Sequence, residues 1–244
     1  MRTIGLLGGM SWESTALYYR LANELVRERR GGLSSASLVL RSVDFAGIRV
    51  LQLEDRWAEA ADLLLAEGRA LERAGAELVL LCTNYMHKVA PALEDGLTVP
   101  FLHLADVVAE AATARGARRV GLLGAAGTLR EPFYADRLAR HGLTTVVPDG
   151  ADIDRVDRAI FDELCRGVLS PATRADLRAV VAGLAAAGAD CVALACTELE
   201  LLLGPADSPV PLLPTARLHV AAGVARALAP EGVGEVGPRA RPGG

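Results

Sequence analysis

The sequence predicts an α/β protein built as two pseudo-symmetric lobes, each a mostly parallel sheet flanked by helices. Three observations predict it. Ile4-Gly5-Leu6-Leu7-Gly8 returns 116 residues later as Val120-Gly121-Leu122-Leu123-Gly124, and Leu80-Leu81-Cys82-Thr83-Asn84 returns 114 residues later as Leu194-Ala195-Cys196-Thr197-Glu198. Two nearly equal offsets mean two copies of one βα unit. The repeated runs are apolar without alternation, as parallel strands covered on both faces are. Strand-like and helix-like stretches also alternate along the chain, which is the order of parallel α/β layers.

Taken in order, Thr3 to Leu7 reads as the first strand and Gly8-Gly9-Met10-Ser11 as a turn. Ser11 or Ser14 then caps a helix reaching about Arg29, with Leu17, Tyr18, Leu21 and Leu25 at helical spacing and Gly31-Gly32 as its end. Ser37 to Val43 is a second strand that leads through Asp44-Phe45 into a loop around Gln52 to Trp57. Ala58 to Arg73 has the spacing of an amphipathic helix, closed by Gly75. Glu77 to Leu81 is a third strand with Cys82 at its exit. Val99 to Leu104 is a short fourth one, which Pro100 restricts to an edge or a strand start.

The second half repeats this order. Arg119 to Leu123 is a strand, Gly124 to Thr128 a glycine-containing loop, and Pro132 to His141 a helix. Thr144 to Val147 is a strand, Asp152 to Cys165 and Thr173 to Ala187 are helices, and Cys191 to Ala195 is the strand that ends at Cys196. Arg217 to Leu228 forms a last helix. Residues 230–244 are rich in Gly and Pro with almost nothing to bury, the composition of a disordered tail.

Composition narrows the function. A net charge of −4, with 26 basic residues scattered among 30 acidic ones, offers no basic stripe for nucleic acid. No apolar run approaches the roughly 18 residues of a membrane span, and Ile4 to Met10 is too short for a secretory signal, so a cytoplasmic protein is expected. Four cysteines in 244 residues are too few for a disulfide scaffold. Lys88 is the only lysine, so a pyridoxal phosphate mechanism would rest on it alone.

In open parallel sheets, ligands bind beyond the carboxyl ends of the strands. The Gly8 to Ser11, Cys82 to Asn84, Gly124 to Thr128 and Cys196 to Glu198 turns all lie at such ends. A thiol where a strand opens into a helix has exposed N–H groups and the positive dipole end beside it, which favours thiolate. Inverting a stereocentre by proton transfer needs a base on one face of the carbon and an acid on the other. Cys82 and Cys196, facing each other across a cleft, supply such a pair, with Thr83, Asn84 and Thr197 as fixed donors to the developing charge.

One cysteine ending a buried strand is more often core than catalyst, but two in equivalent repeat positions reverse that reading. Cys165, within a helical stretch, and Cys191, opening a strand, read as packing. His87 reads as a group packed beneath the loop rather than as a partner of Cys82. A zinc site from Cys82, His87, Cys191 and Cys196 lacks CxxC or HExxH spacing, so no metal is expected. Gly8-Gly9 is neither a GxGxxG nor a Walker loop.

Leu6-Leu7-Gly8-Gly9-Met10-Ser11-Trp12-Glu13-Ser14-Thr15, Ser42-Val43-Asp44-Phe45, Cys82-Thr83-Asn84 with Met86-His87-Lys88, Glu163-Leu164-Cys165 with Gly167, and Cys196-Thr197-Glu198 together resemble the aspartate/glutamate racemase family, over about residues 1 to 228. The resemblance implies a cofactor-independent amino-acid racemase with its active site in the cleft between two lobes, commonly a homodimer. Residues 1–104 with a returning helix at 215–229 would form the first lobe and 105–214 the second. It assigns Cys82 and Cys196 as the acid/base pair, and Met10, Gln52, Thr83 and Asn84 as ligand-lining. It also implies that Thr128 and Thr197 help to hold the carboxylate and that Ser11, Tyr85 and Glu198 complete the substrate site.

Three positions depart from the family pattern. Tyr85 stands where threonine is usual, Leu123-Gly124-Ala125-Ala126-Gly127 replaces Leu-Leu-Gly-Thr, and Pro214 replaces an Asp. A lost hydroxyl and a gained phenol change which substrate side chain is satisfied. Aspartate or glutamate is the default substrate, with another amino acid open. The alternatives are a same-fold isomerase or decarboxylase, such as a hydantoin racemase or a maleate isomerase, or a small-molecule-binding protein without turnover.

Overall fold

The computed structural model describes residues 1–230. The first sheet holds β1 (Ile4–Gly8), β2 (Leu38–Ser42), β3 (Leu78–Leu81) and β4 (Phe101–Leu102) in the order β2-β1-β3-β4. The second holds β5 (Arg119–Gly124), β6 (Thr144–Val146), β7 (Cys191–Ala195) and β8 (Leu212–Pro214) in the equivalent order β6-β5-β7-β8. Every pairing is parallel. β1, β3 and β7 are buried throughout, which is why their sequences do not alternate. The sequence gives no expectation of β8, because a three-residue strand containing Pro214 carries almost no pattern.

α1 (Trp12–Arg30) begins at Ser11, whose Oγ accepts the Ser14 N–H, and ends at Gly31 with φ 75°. The expected loop around Gln52 is instead α2 (Phe45–Leu53), capped by Asp44, whose carboxylate accepts the Ala46 N–H. Asp44 was the available signal. α3 (Trp57–Arg73) follows as expected. A 3-10 turn over Tyr85–Val89, α4 (Ala90–Gly96) and α5 (Leu104–Thr113) fill stretches to which periodicity gave no element.

In the second half α6 (Ala126–Arg130), α7 (Phe133–Ala139), α8 (Gly150–Arg158), α9 (Pro171–Ala186) and α10 (Leu199–Leu202) surround the sheet. The helix expected to run to Cys165 stops at Arg158. It widens into a π turn over Ala159–Glu163, then a 3-10 turn over Leu164–Arg166, ended by Gly167 at φ 74°. Such a bulge re-aims the side chains beyond it. Here it brings Phe161 and Cys165 to the cleft.

α11 (Thr215–Leu228) returns to the first sheet, where Ala216, Val220, Val224 and Ala227 join a core with Tyr18, Leu80 and Cys82. Gly223 permits that approach, since a Cβ there would stand 2.8 Å from Leu80 Cδ2. α5 serves both cores, Val107 facing the first and Leu104, Ala105 and Val108 the second. Among the described residues no helix is long and apolar enough to cross a membrane. The tail expected over 230–244 lies, apart from Pro230, outside the described residues.

Candidate active site

The turns after β1, β3, β5 and β7 meet at one cavity between the two sheets. Gly9, at φ 95°, makes the first turn possible, because a Cβ would collide with Val43 O. Its N–H donates to Thr15 Oγ1 (2.9 Å), which in turn donates to Ser11 O (2.9 Å), fixing the turn on α1. The Met10–Ser11 peptide bond is cis. Met10, Ser11, Gln52, Thr83, Asn84, Tyr85, Thr128, Cys196, Thr197 and Glu198 all line the cavity. Cys82 does not.

A single carboxylate organises the second-lobe wall. Cys196 Sγ donates to Glu198 Oε2 (3.0 Å), Thr197 Oγ1 donates to the same oxygen (2.9 Å), and Ser11 Oγ reaches across the cleft to Oε1 (2.6 Å). Burial, and then the Glu198 charge, push the Cys196 thiol well above its ordinary range. Cys82 is fully buried in the first-lobe core, its sulfur 3.8 Å from Leu80 O, and burial pushes it up as well.

Burial therefore pushes both thiols towards the protonated form, against the pull of a helix start towards thiolate. The reason is physical: α10 is a single turn, with little dipole to offer, while desolvation of a sulfur anion is large. Cys165 is also a correction. It packs against the second-lobe core as expected but also lines the cavity, and burial, with Glu198 and Glu13 nearby, pushes it up to about 12. Cys191 sits in the second-lobe core, as expected.

The remaining polar groups divide into committed and open. Asn84 Nδ2 donates to Thr215 Oγ1 (3.1 Å), which donates to Leu194 O (2.8 Å), so Asn84 is held by the start of α11. Gln52 Nε2 contacts Met86 Sδ (3.0 Å), while its Oε1 accepts from Arg49 (3.0 Å). Tyr85 donates to Glu131 Oε1 (2.8 Å). Its ring lies where a Cβ on Gly127 would collide, so the phenol and the glycine are complementary. Thr128 Oγ1 is buried without a hydrogen-bond partner. An orphaned hydroxyl in a cavity wall is a donor waiting for a ligand.

His87 packs beneath the site. Its Nδ1–H donates to Thr83 O (2.7 Å) and its Nε2 accepts the Leu104 N–H (3.1 Å). Among the described residues no group of three or more His, Cys, Asp or Glu side chains is arranged to hold a metal ion. Phe45, Ile160 and Phe161 complete the wall. Phe45 closes the Ser42–Phe45 motif that carries the resemblance, but α2 gives it its place in the wall, and the π turn places Ile160 and Phe161, of which the sequence carries no sign. The cavity holds about 50 Å³, a third of the roughly 150 Å³ that admits benzene in an engineered protein core.

Two parallel α/β lobes with a thiol, a carboxylate and hydroxyls at their facing strand ends define a class of cleft enzyme, and comparison with known proteins identifies it. A model of the Asp/Glu/hydantoin racemase family matches residues 7–223. The crystal structure of a candidate Asp/Glu racemase from Yersinia pestis superimposes with a TM-score of 0.89 at 42% identity, covering 94% of this chain and 100% of that one. An aspartate racemase homologue from Pyrococcus horikoshii OT3 gives 0.82 at 32% identity, over 93% and 99%. Picrophilus torridus aspartate racemase gives 0.75 at 18% identity over 93% and 94%, a likeness of fold. The chain belongs to the Asp/Glu/hydantoin racemase family.

Proposed function

We propose that the protein is an amino-acid racemase that inverts the α-carbon by proton transfer between thiols, without pyridoxal phosphate or metal. The observation that carries this reading is the Cys196–Glu198 contact inside the cleft. A protonated thiol cannot accept a proton, and Glu198 solves that problem by taking the Cys196 proton as the substrate docks. The sulfur anion then removes the α-proton from one face. Thr128 Oγ1 and Thr83 supply donors to the carboxylate as it takes on enolate character, while the Thr197 hydroxyl stays on Glu198. Lys88, which a pyridoxal mechanism would need, is bound to Glu131 and stacked 3.7 Å over Trp57.

Cys82 completes the exchange by donating its Sγ proton to the opposite face of the carbanion, and the proton left on Glu198 returns through solvent to the Cys82 thiolate as product leaves. Its neighbours Thr83 and Asn84 already line the cavity, so a rotation about its Cα–Cβ bond would bring the sulfur to the substrate. The test is incubation with single enantiomers in deuterated water. Racemization puts solvent deuterium on the α-carbon and yields both enantiomers.

A second reading follows from the burial of Cys82. With Cys196 alone at the substrate, the site would protonate a carbanion on one face, as in decarboxylation of a malonate. Stereospecific deuterium uptake after loss of CO2, with no racemization, would select it.

A further inference from the structure

The turn that carries Cys196, Thr197 and Glu198 runs into α10, a helix of one turn, which is too short to hold its own place. Two residues anchor it. Leu199 is buried in the second-lobe core, and Glu200 lies outside the cavity wall with only 2% of its side chain exposed. A carboxylate buried away from the substrate needs partners, and Glu200 has them on both sides.

Its N–H donates to Thr197 O (3.3 Å), inside the turn, and its Oε1 accepts the Ala216 N–H (2.7 Å), in the first turn of α11. That N–H has no partner within its own helix, because the N-cap residue is Pro214, which has no side-chain oxygen to offer. Glu200 Oε2 lies 3.7 Å from Arg217 Nε, on the same helix. Burial lifts the Glu200 carboxyl to about 7, with Glu198 adding to the rise, while the Ala216 and Arg217 N–H groups and the Arg217 charge draw it down. At pH 8 it is therefore ionised and its bond to α11 is charge-assisted.

The start of α11 also reaches the site. Thr215 holds Asn84 in the first-lobe wall and bonds Leu194 O, two residues before Cys196. Because α11 packs on the first lobe, Glu200 fastens the turn from behind to the same lobe that Ser11 fastens it to across the cleft. We infer that Glu200 is a positioning residue that sets the Cys196–Glu198 turn against the first lobe by capping α11 from α10, an inference that rests on the racemase reading above. A displacement of about 1 Å between groups that exchange a proton is enough to cost a large factor in rate.

Glu200→Ala removes the tie. Exchange of the α-proton of aspartate and glutamate in deuterated water at pH 8 is followed by proton NMR. The expected kcat is about ten-fold or more below wild type, with KM within about two-fold, since Thr128 and Thr83 stand on other elements. The urea midpoint falls as well, because α11 loses a cap. Adding Pro214→Asp to Glu200→Ala gives α11 a cap of its own, so the midpoint is expected to recover while kcat stays low. A kcat that follows the midpoint in the double variant, recovered or not, overturns the inference and leaves Glu200 a helix cap only. A kcat for Glu200→Ala within about two-fold of wild type overturns it too, and both results leave the racemase reading standing. No exchange by the wild-type protein removes that reading and the inference with it.

Discussion

Ser11 Oγ lies 2.6 Å from Glu198 Oε1, and this hydrogen bond spans the cleft from the turn after β1 to the turn after β7. The carboxylate that accepts the hydrogen bond from Cys196 is thus also held by the opposite lobe. Glu198→Gln keeps the shape and removes the proton acceptor. Its kcat for α-proton exchange is expected to fall about 10²-fold, the scale of a lost general base. A value within a few-fold of wild type would show that Cys196 is activated another way.

Cys82→Ser and Cys196→Ser are each expected to abolish racemization in both directions, because each direction needs an acid and a base. Circular dichroism checks that the Cys82 variant remains folded, since that side chain is core. Near-normal racemization by Cys82→Ser would confine the chemistry to one thiol.

Gly127→Ala adds a Cβ in the space that Tyr85 occupies. Overpacking of this kind costs about 1–3 kcal/mol, set against the better helix propensity of alanine within α6. In a Tyr85→Thr background the same change is expected to be neutral or stabilising. Urea denaturation of the two single variants and the double variant gives the coupling energy, and additivity would refute the complementarity.

His87, His103 and His219 share one buried pocket, the His87 ring centre lying 4.6 Å from His103 and 6.0 Å from His219. Each is fixed as a neutral ring. His219 Nε2–H donates to Leu102 O and its Nδ1 accepts the Tyr18 hydroxyl, while His103 Nδ1 accepts the Ala105 N–H. Burial lowers all three, His219 to about 4 and His103 to about 2, from 6.5. The unfolded chain therefore binds more protons below pH 6.5. This stability is complete above that pH and is lost as the pH falls towards 4, by about 1.4 kcal/mol per pH unit for each histidine. Urea midpoints at pH 7 and pH 5 check it, and equal midpoints would contradict it.

The repeat was legible because parallel strands buried on both faces leave long apolar runs, and two such runs ending in Cys-Thr placed the Thr83 and Thr197 turns correctly. Capping signals were enough for α1. What the sequence hid depends on three dimensions. The direction of Cys82, between a core and a cleft one residue apart, follows from which face of β3 meets α11. The protonation of Cys196 follows from burial and a carboxylate two residues on, neither of which periodicity weighs. Cys165 reached the cleft through a π turn that an unbroken helical pattern conceals.

The return of α11 ties Arg2 to the far end of the fold, its N–H donating to Ala227 O at 2.8 Å. The lobe that is begun first is therefore finished last. As the polypeptide leaves the ribosome, the later half can close around its own sheet while the earlier half has α1 but not yet α11 over the same face of β1 and β3. Joining residue 228 to residue 2 by a short linker and cutting the chain at an exposed loop would reverse that order without changing the architecture.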